Sequence, residues 1–158
     1  MATTTPTVSR ELLKSTGFLL KRLGFLVKER SYAALEPTGL TPQHHAVLSL
    51  LDEGARETQG AIADALGYDR SQLVGMLDDL QERGLVERER DRDDRRRHLV
   101  RLTPAGKETL DELRALAKAV EKELLEPLDA DERRTLHELL SKLAARHDPR
   151  CGAPMRES

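Results

Sequence analysis

The chain has 158 residues, one cysteine, no tryptophan, and 28 acidic against 26 basic residues, for a formal net charge of −2. This length suits one domain or two small lobes that share a core, and the abundance of Leu, Ala, Arg and Glu favours a mainly helical fold. The lone Cys151, the lack of an apolar run of roughly 18 residues and the lack of a signal-peptide core argue against the secreted and membrane classes, so we expect a cytoplasmic protein.

The first half of the chain predicts four helices with local start or stop signals. Apolar residues recur in them at helical spacing, and Thr, Asp, Pro and Gly mark their ends. The predicted helices run from about 9 to 35, ended by Pro37 and Gly39; from Pro42, after the cap Thr41, to the stop Gly54; from about Gln59 to Leu66, between Thr58 and Gly67; and from Asp69 to the stop Gly84. Asp69 and Gln72 also have the spacing of a capping box.

A charged β-hairpin is predicted after the fourth helix. The apolar period changes there from 3.6 to 2 in LVERER and HLVRLT, as in half-buried strands, and the segment from Asp91 to Arg97 forms the tip between them. Residues 88–101 carry seven arginines and four acidic residues, a local net charge of +3. Such a basic patch fits contact with a polyanion, although charge runs are also common on solvated faces.

The last third of the chain predicts two more helices. Thr103 caps the first, and Asp129 with Glu132 has the spacing of a capping box at the start of the second. Apolar residues at 110, 113, 117, 120 and 124 alternate spacings of three and four, which is typical of a helix that packs along another helix. This seam either contributes to a dimer interface or packs inside one subunit.

The order of elements is that of a winged helix–turn–helix, since two strands follow directly after two short helices. The pattern L-x-x-x-G-L-V-x-R-x-x-D-x-x-D-x-R, followed by V-x-L-T-x-x-G, resembles the wing of the MarR family of bacterial transcriptional regulators. The resemblance extends from about residue 9 to residue 146.

This resemblance implies a fold that is mainly α with a small two-stranded β wing, a winged helix–turn–helix plus a helical dimerisation lobe. It further implies a homodimer that binds double-stranded DNA, with the helix at 69–83 in the major groove and the wing along the backbone or minor groove. The implied divisions are 1–36, the N-terminal helix of the dimerisation lobe; 37–103, the DNA-binding lobe; 104–148, the C-terminal helices of the dimerisation lobe; and 149–158, a flexible tail.

The start of the fourth helix carries side chains that suit DNA. A helix N-terminus attracts phosphate. The side chains that follow are of types that read base edges, since Arg70 can bond guanine, Gln72 can bond adenine and Ser71 can bond either. For Gln72 the alternative is that its side chain only closes the capping box. Gly75 departs from the polar or basic residue that relatives often carry, which lowers the expected number of contacts.

The wing supplies a second set of candidate DNA contacts. Arg95, Arg96 and Arg97 cluster at the tip, where an arginine can enter a narrow minor groove, and we favour Arg95 or Arg96 for that role. The family pattern implies that an acidic neighbour, Asp94 in our prediction, pairs with a wing arginine and holds it in place. The alternative is that all wing charges are exposed without DNA. The strand arginines, Arg88, Arg90 and Arg101, are expected to contact the DNA backbone or to lie on solvated surface.

The resemblance also implies a small aromatic or anionic effector bound between the two lobes. Candidate side chains for that pocket are Phe18, Lys21 and Arg22 on the first helix and His44 and His45 on the second. The alternative for the two histidines, which we prefer, is that they only cap or cover the start of a helix. No metal site and no cofactor are expected, because the histidines and Cys151 lack ligand spacing.

The leading interpretation is a sequence-specific transcriptional regulator that reads a pseudo-palindromic operator, with a repressor favoured over an activator. The alternative is a winged-helix adaptor between proteins without DNA binding, which Gly75, Asp78, Asp79 and Glu82 favour mildly and the arginine-rich wing opposes. An enzyme is not expected, because the chain has no phosphate-cradling Gly loop and no nucleophile motif.

Overall fold

A computed structural model describes residues 7–54 and 57–152. The other residues, 1–6, 55–56 and 153–158, lie outside this description, and they include the end of the predicted tail. Within the described ranges the chain forms seven α-helices, three strands and two 3-10 turns. The elements are α1 Arg10–Leu13, α2 Thr16–Leu35, a 3-10 turn at Glu36–Thr38, α3 Pro42–Glu53, β1 Glu57–Thr58, α4 Gln59–Leu66, α5 Arg70–Glu82, β2 Val86–Arg90, β3 His98–Leu102, α6 Pro104–Leu124, α7 Ala130–His147 and a 3-10 turn at Pro149–Cys151.

The predicted first helix is two helices. α1 ends after one turn, and the Ser15 hydroxyl accepts the Phe18 N–H at 3.2 Å to cap α2. A serine side chain competes with the backbone for hydrogen bonds and favours a cap over a helix interior, so the chain breaks at this point. The prediction of one continuous helix was therefore wrong at Lys14–Ser15, while the predicted end near Pro37 was right.

The two helices of the helix–turn–helix have the predicted bounds. Thr58 caps α4 by accepting the Ala61 N–H at 3.1 Å, and Gly67 ends it with a left-handed φ of 67°. Gly84 follows α5 with φ 73°, and the Leu85 N–H donates back to the Leu80 carbonyl at 2.9 Å. Both glycines adopt a left-handed backbone conformation in which an L side chain would be strained. They therefore set the direction of the chain into α5 and out of α5 toward the wing.

The wing belongs to a three-stranded antiparallel sheet with the order β1-β3-β2. The predicted hairpin pairs Val86 with Leu102 and Arg90 with His98. The third strand, β1, pairs Glu57 with Val100 and was not predicted. Two residues are too few to show a period in the sequence, and only the pairing with β3 makes them a strand.

The core lies where α3, α4, α5 and the sheet meet the first half of α6. Its fully buried side chains come from all of these elements and from the end of α2: Leu35, Val47, Leu48, Ile62, Leu73, Leu77, Leu80, Val86, Val100, Leu110 and Leu113. Leu110 and Leu113 begin the predicted apolar seam of α6, so that part of the seam packs inside the subunit. The remaining seam positions, Ala117, Val120 and Leu124, are only partly buried.

A ring of charged side chains fastens α3 to α6 beside this core. Asp52 of α3 accepts from Lys107 Nζ at 2.8 Å and from Arg114 Nη2 at 2.7 Å. Asp111 lies 3.7 Å from Lys107 Nζ and 3.2 Å from Arg114 Nη1, which closes the ring. The bonds from Lys107 and then Arg114 lower the pKa of Asp52, so the carboxylate stays charged.

Large apolar side chains are exposed on α2 and α7. They include Leu19, Leu20, Leu23 and Phe25 on α2 and Leu139, Leu140 and Leu143 on α7. No residue of α7 is buried, and its only extended packing within the described residues is with the 3-10 turn at Pro149–Cys151. No helix in the described ranges is long and apolar enough to cross a lipid bilayer.

Candidate nucleic-acid interface

The N-terminus of α5 is built around the cap Asp69. Its carboxylate accepts the N–H groups of Ser71 at 2.9 Å and Gln72 at 3.3 Å, and it also accepts from the Ser71 hydroxyl. The bond from the Ser71 hydroxyl, followed by those from the two N–H groups, lowers the pKa of Asp69. Asp69 is therefore a cap, as expected.

The predicted capping box at α5 does not close. Gln72 bonds the cap through its backbone only, whereas reciprocal boxes form at α3 and α7. Its side chain is exposed, as are those of Arg70 and Ser71. All three predicted contact residues of α5 thus lie on the surface, and the side-chain amide of Gln72 takes no part in the cap.

Asp94 organises the tip of the wing. Its carboxylate accepts the Arg96 N–H at 3.0 Å and lies 3.4 Å from Arg97 Nε, while its carbonyl accepts the Arg97 N–H at 2.9 Å. The Asp91 N–H donates to the Arg97 carbonyl at 3.0 Å and closes the loop. The predicted acid–arginine pair is thus between Asp94 and Arg97, and it leaves the exposed Arg95 and Arg96 side chains at the outer end of the tip.

Arg88 has a role that the sequence reasoning missed. It was expected to contact the DNA backbone or to lie on solvated surface, but its Nε donates to Gln81 Oε1 at 2.6 Å and its Nη2 pairs with Asp78. Its side chain is only 21% exposed. The available signal was the strand alternation, which puts Arg88 on the same face as the buried Val86. Arg88 therefore ties the wing to α5, so that the two elements keep a fixed relative position.

Arg101 fits the expectation of a strand arginine on solvated surface, and it pairs there with Glu87, its neighbour across the hairpin. Both side chains are about half exposed, at 49% and 55%. This pair lies on the outer face of the sheet and supports the hairpin.

A cleft of about 670 Å³ brings together three of the predicted contact residues, whereas Ser71, Gln72, Asp94 and Arg95 are not among its lining residues. Arg70 lies on one side, against Gly60 of α4, and Arg96 and Arg97 lie on the other. The N-terminal residues of α4, including Gln59, form a further wall. The cleft brings together arginines that are 26 residues apart in the chain, and its three arginines outnumber the single carboxylate in its lining, Asp64, so it concentrates positive charge on one face of the lobe.

The two histidines of α3 differ in their surroundings. His44 Nδ1 accepts the Thr41 N–H at 3.1 Å in the capping box, and its Nε2 lies 3.4 Å from Asp79 Oδ2 on α5. Burial lowers the pKa of His44, against the opposing effect of Asp79. Burial and the charge of Arg114 lower the pKa of His45. His44 thus caps α3 and links it to α5, and His45 faces α6.

The remaining effector candidates lie in the first half of α2. Phe18 is half-buried, and Lys21 and Arg22 are exposed. The structure gives no bond between them and the histidines of α3 within the described residues. A separate groove of about 710 Å³ runs between the second half of α2 and the α6–α7 corner, with Val27, Leu124 and Leu140 among its lining residues. Over the described ranges, no group of three or more His, Cys, Asp or Glu side chains is placed to hold a metal ion.

The chain is similar to known transcriptional regulators. Residues 38–97 match the model of the MarR family. A putative transcriptional regulatory protein for the hcr operon of Thauera aromatica is 32% identical over 142 residues, which span 89% of this chain and 85% of that protein. The crystal structure of a MarR-family regulator from Rhodococcus sp. RHA1 is 35% identical, with a TM-score of 0.76 and coverage of 86% of this chain and 96% of that one.

The same likeness extends to a repressor solved with DNA and with a ligand. The transcriptional repressor CouR bound to a 23-mer DNA duplex is 37% identical, with a TM-score of 0.79, over 89% of this chain and 99% of that one. CouR from Rhodococcus jostii RHA1 bound to p-coumaroyl-CoA is 36% identical, with a TM-score of 0.72, over 86% of this chain and 96% of that one. The sequence identity, the fold and the cleft shared by arginines of α5 and the wing all agree. The chain belongs to the MarR family of winged-helix, DNA-binding transcriptional regulators.

Proposed function

We propose that the protein is a transcriptional repressor that acts in the cytoplasm as a homodimer on a pseudo-palindromic operator. The observation that carries the proposal is the cleft in which Arg70, at the N-terminus of α5, lies beside Arg96 and Arg97 of the wing tip. Two such clefts in a dimer match half-sites about one helical turn apart. The likeness to CouR, a repressor solved on DNA, supports repression.

In each half-site, α5 enters the major groove with its N-terminus first. Arg70, Ser71 and Gln72 then reach base edges or phosphates, because all three side chains are exposed there. The Arg88 bonds to α5 hold the wing at a fixed offset, which places Arg95 or Arg96 over the adjacent minor groove. Asp94, which is acidic, does not attract DNA itself, but its pair with Arg97 fixes the conformation of the wing tip.

The second copy covers the apolar faces of α2 and α7. Leu23 of α2 is 49% exposed and Leu139 of α7 is 56% exposed, and α7 has no buried residue of its own. Contiguous apolar surface of this kind marks an interface in a protein that stays in solution. The division into a DNA-binding lobe at 37–103 and a dimerisation lobe from 1–36 and 104–148 follows from this assembly.

An anionic aromatic effector releases the repressor by binding better to a dimer geometry that does not fit DNA. Phe18, Lys21, Arg22 and His45 remain its candidate contacts, and the structure of CouR with p-coumaroyl-CoA supports this ligand class. We assign His44 a structural role instead, because both of its ring nitrogens already face partners in the subunit.

Two of the three acidic residues that favoured a protein adaptor, Asp78 and Asp79, have partners within the chain. Asp78 pairs with Arg88, and Asp79 accepts from Arg83 Nε at 2.9 Å. These carboxylates hold the wing and the end of α5 in place, so they do not favour an adaptor.

A binding experiment tests the proposed DNA contacts. DNA enriched by the purified protein from a random duplex library is labelled, and its affinity is measured by fluorescence anisotropy at two salt concentrations. We expect affinity to fall steeply with salt, because neutralised phosphates release counterions. Arg95→Ala with Arg96→Ala should weaken binding and flatten the salt dependence, whereas Arg134→Ala on α7 should change neither. If the purified protein enriches no duplex from the library, the DNA-binding proposal is wrong.

The assembly and the effector have separate tests. Sedimentation equilibrium should show a dimer, and Leu139→Asp with Leu143→Asp should shift it toward monomer. Added p-coumaroyl-CoA, as a probe of the ligand class, should release the bound duplex, and Arg22→Ala should weaken that release without changing DNA affinity. A wild-type chain that is monomeric at micromolar concentration contradicts the dimer.

A further inference from the structure

Val74 is an apolar residue of α5 that the protein core does not use. Its side chain is 39% exposed, while the other large apolar residues of this helix are 9% exposed or less. These buried residues are Leu73, Met76, Leu77 and Leu80. A β-branched residue is a poor helix former, so an exposed valine at this position is explained neither by packing nor by helix propensity.

Gly75, next to Val74, is also unexplained by the fold of the subunit. A Cβ built on Gly75 would have no atom within 4 Å, so no close packing requires glycine there. Glycine in a helix interior lowers helix stability relative to alanine. One turn earlier on the same face lies Ser71, whose small side chain is tied back to Asp69. The row formed by Ser71 and Gly75 beside Val74 therefore carries little side-chain bulk.

We infer that Val74 recognises the C5-methyl group of a thymine in each half-site, and that Gly75 lets α5 come close enough to reach it. This inference rests on the proposed function, in which α5 lies in the major groove. The thymine methyl is the apolar group that base pairs present in that groove, and an exposed isopropyl group is its complement. Arg70, four residues before Val74, then lies over a neighbouring base pair or its phosphate.

The local charges support an apolar reader at this position. Val74 borders the cleft that holds Arg70 and Arg96, so it lies on the DNA-facing side of the lobe and away from the apolar faces of α2 and α7. Asp78, one turn after Val74, is neutralised by its pair with Arg88. The turn at 73–77 carries no polar side chain, so this turn reads sequence through contacts with methyl groups and close backbone approach rather than through hydrogen bonds.

The test removes the methyl group from the DNA and the isopropyl group from the protein. Each thymine of the selected operator is replaced by deoxyuridine, symmetrically in both half-sites, and affinities are measured for the wild type and Val74→Ala. At one symmetric position we expect the wild type to lose up to about fourfold per half-site, the fold-change equivalent to about 0.8 kcal/mol for one methylene-sized group. Val74→Ala should bring the thymine-to-deoxyuridine ratio at that position close to one.

Glu82→Ala, on the last turn of α5, is the control variant. Removal of this exposed acid should change affinity for both duplexes alike and leave their ratio unchanged. If Val74→Ala unfolds more easily than the wild type, Val74→Ser removes both methyl groups at a similar helix propensity, and it supplies the same comparison. A wild-type ratio near one at every thymine, a half-site without thymine, or a ratio unchanged in both valine variants would overturn the inference.

Gly75→Ala tests the close approach. The added methyl should weaken binding to the selected operator by about tenfold or more, with nonspecific DNA binding unchanged. Unchanged operator affinity would show that α5 does not come that close. A protein that enriches no DNA fails the proposed function itself, whereas a protein that binds DNA but ignores thymine methyls fails only this inference.

Discussion

Gly106 lies in the first turn of α6, where the helix meets the chain between α5 and β2. A Cβ built on Gly106 would overlap the Leu85 carbonyl oxygen and lie 2.8 Å from Leu102 Cδ1. The same turn is fastened by the Thr103 N–H, which donates to the Leu85 carbonyl at 3.1 Å, and by the Thr103 hydroxyl, which donates to the Gly84 carbonyl at 2.7 Å. Gly106→Ala must therefore push α6 away from the base of the wing.

The expected cost of Gly106→Ala combines three effects. Overpacking against a backbone carbonyl costs about 1–3 kcal/mol. Loss of the Thr103–Leu85 hydrogen bond costs about 1 kcal/mol more. The higher helix propensity of alanine stabilises the folded state by about 0.5–1 kcal/mol. We therefore expect a net loss of roughly 1–3 kcal/mol in the free energy of unfolding.

Urea unfolding followed by circular dichroism, at one fixed protein concentration, measures this change. With a slope of about 1–3 kcal/mol per molar urea, the midpoint should fall by roughly 1 M. Gly75→Ala is the matched control, because nothing lies within 4 Å of its added Cβ, and it should raise stability by about 0.5–1 kcal/mol. If Gly106→Ala unfolds at the wild-type midpoint or above, the reasoning from close backbone contact is wrong.

Three further changes should be measurable. Asp52→Asn should lower the free energy of unfolding by about 1 kcal/mol, because Asp52 accepts hydrogen bonds from Lys107 and Arg114 of α6 at a partly exposed site. Asp111→Asn, on the exposed side of the ring, should lower it by about half as much or less. Burial lowers the pKa of His44, so the unfolded chain binds more protons than the folded chain, and stability should fall as the pH drops below 6.5. In His44→Gln the midpoint of urea unfolding should depend less on pH than in the wild type. Arg88→Ala should lower stability by about 1 kcal/mol and weaken operator binding, whereas Arg101→Ala on the outer hairpin face should leave binding within twofold, as measured by anisotropy.

The bounds of most elements could be read from the sequence because they depend on neighbours in the chain. Thr58 and Gly67 bound α4, and Asp129 with Glu132 closes a capping box at α7, all through hydrogen bonds or dihedral angles that span three or four residues. The hairpin followed from strict alternation around the wing. The break at Ser15 had its own local signal, since serine is a strong cap, but the apolar spacing across it favoured one helix.

Contacts between distant parts of the chain were decided only by the tertiary structure. The strand β1 exists because Glu57 and Thr58 pair with β3, some 40 residues later. Arg88 became a link to α5, and Asp52 became a partner of Arg114, 62 residues away in the chain. A periodic pattern shows which face of an element is apolar, but not which distant side chain lies opposite each charge. That pairing depends on how the helices and the sheet pack around their shared core, which brings charged groups of separate elements within bonding distance.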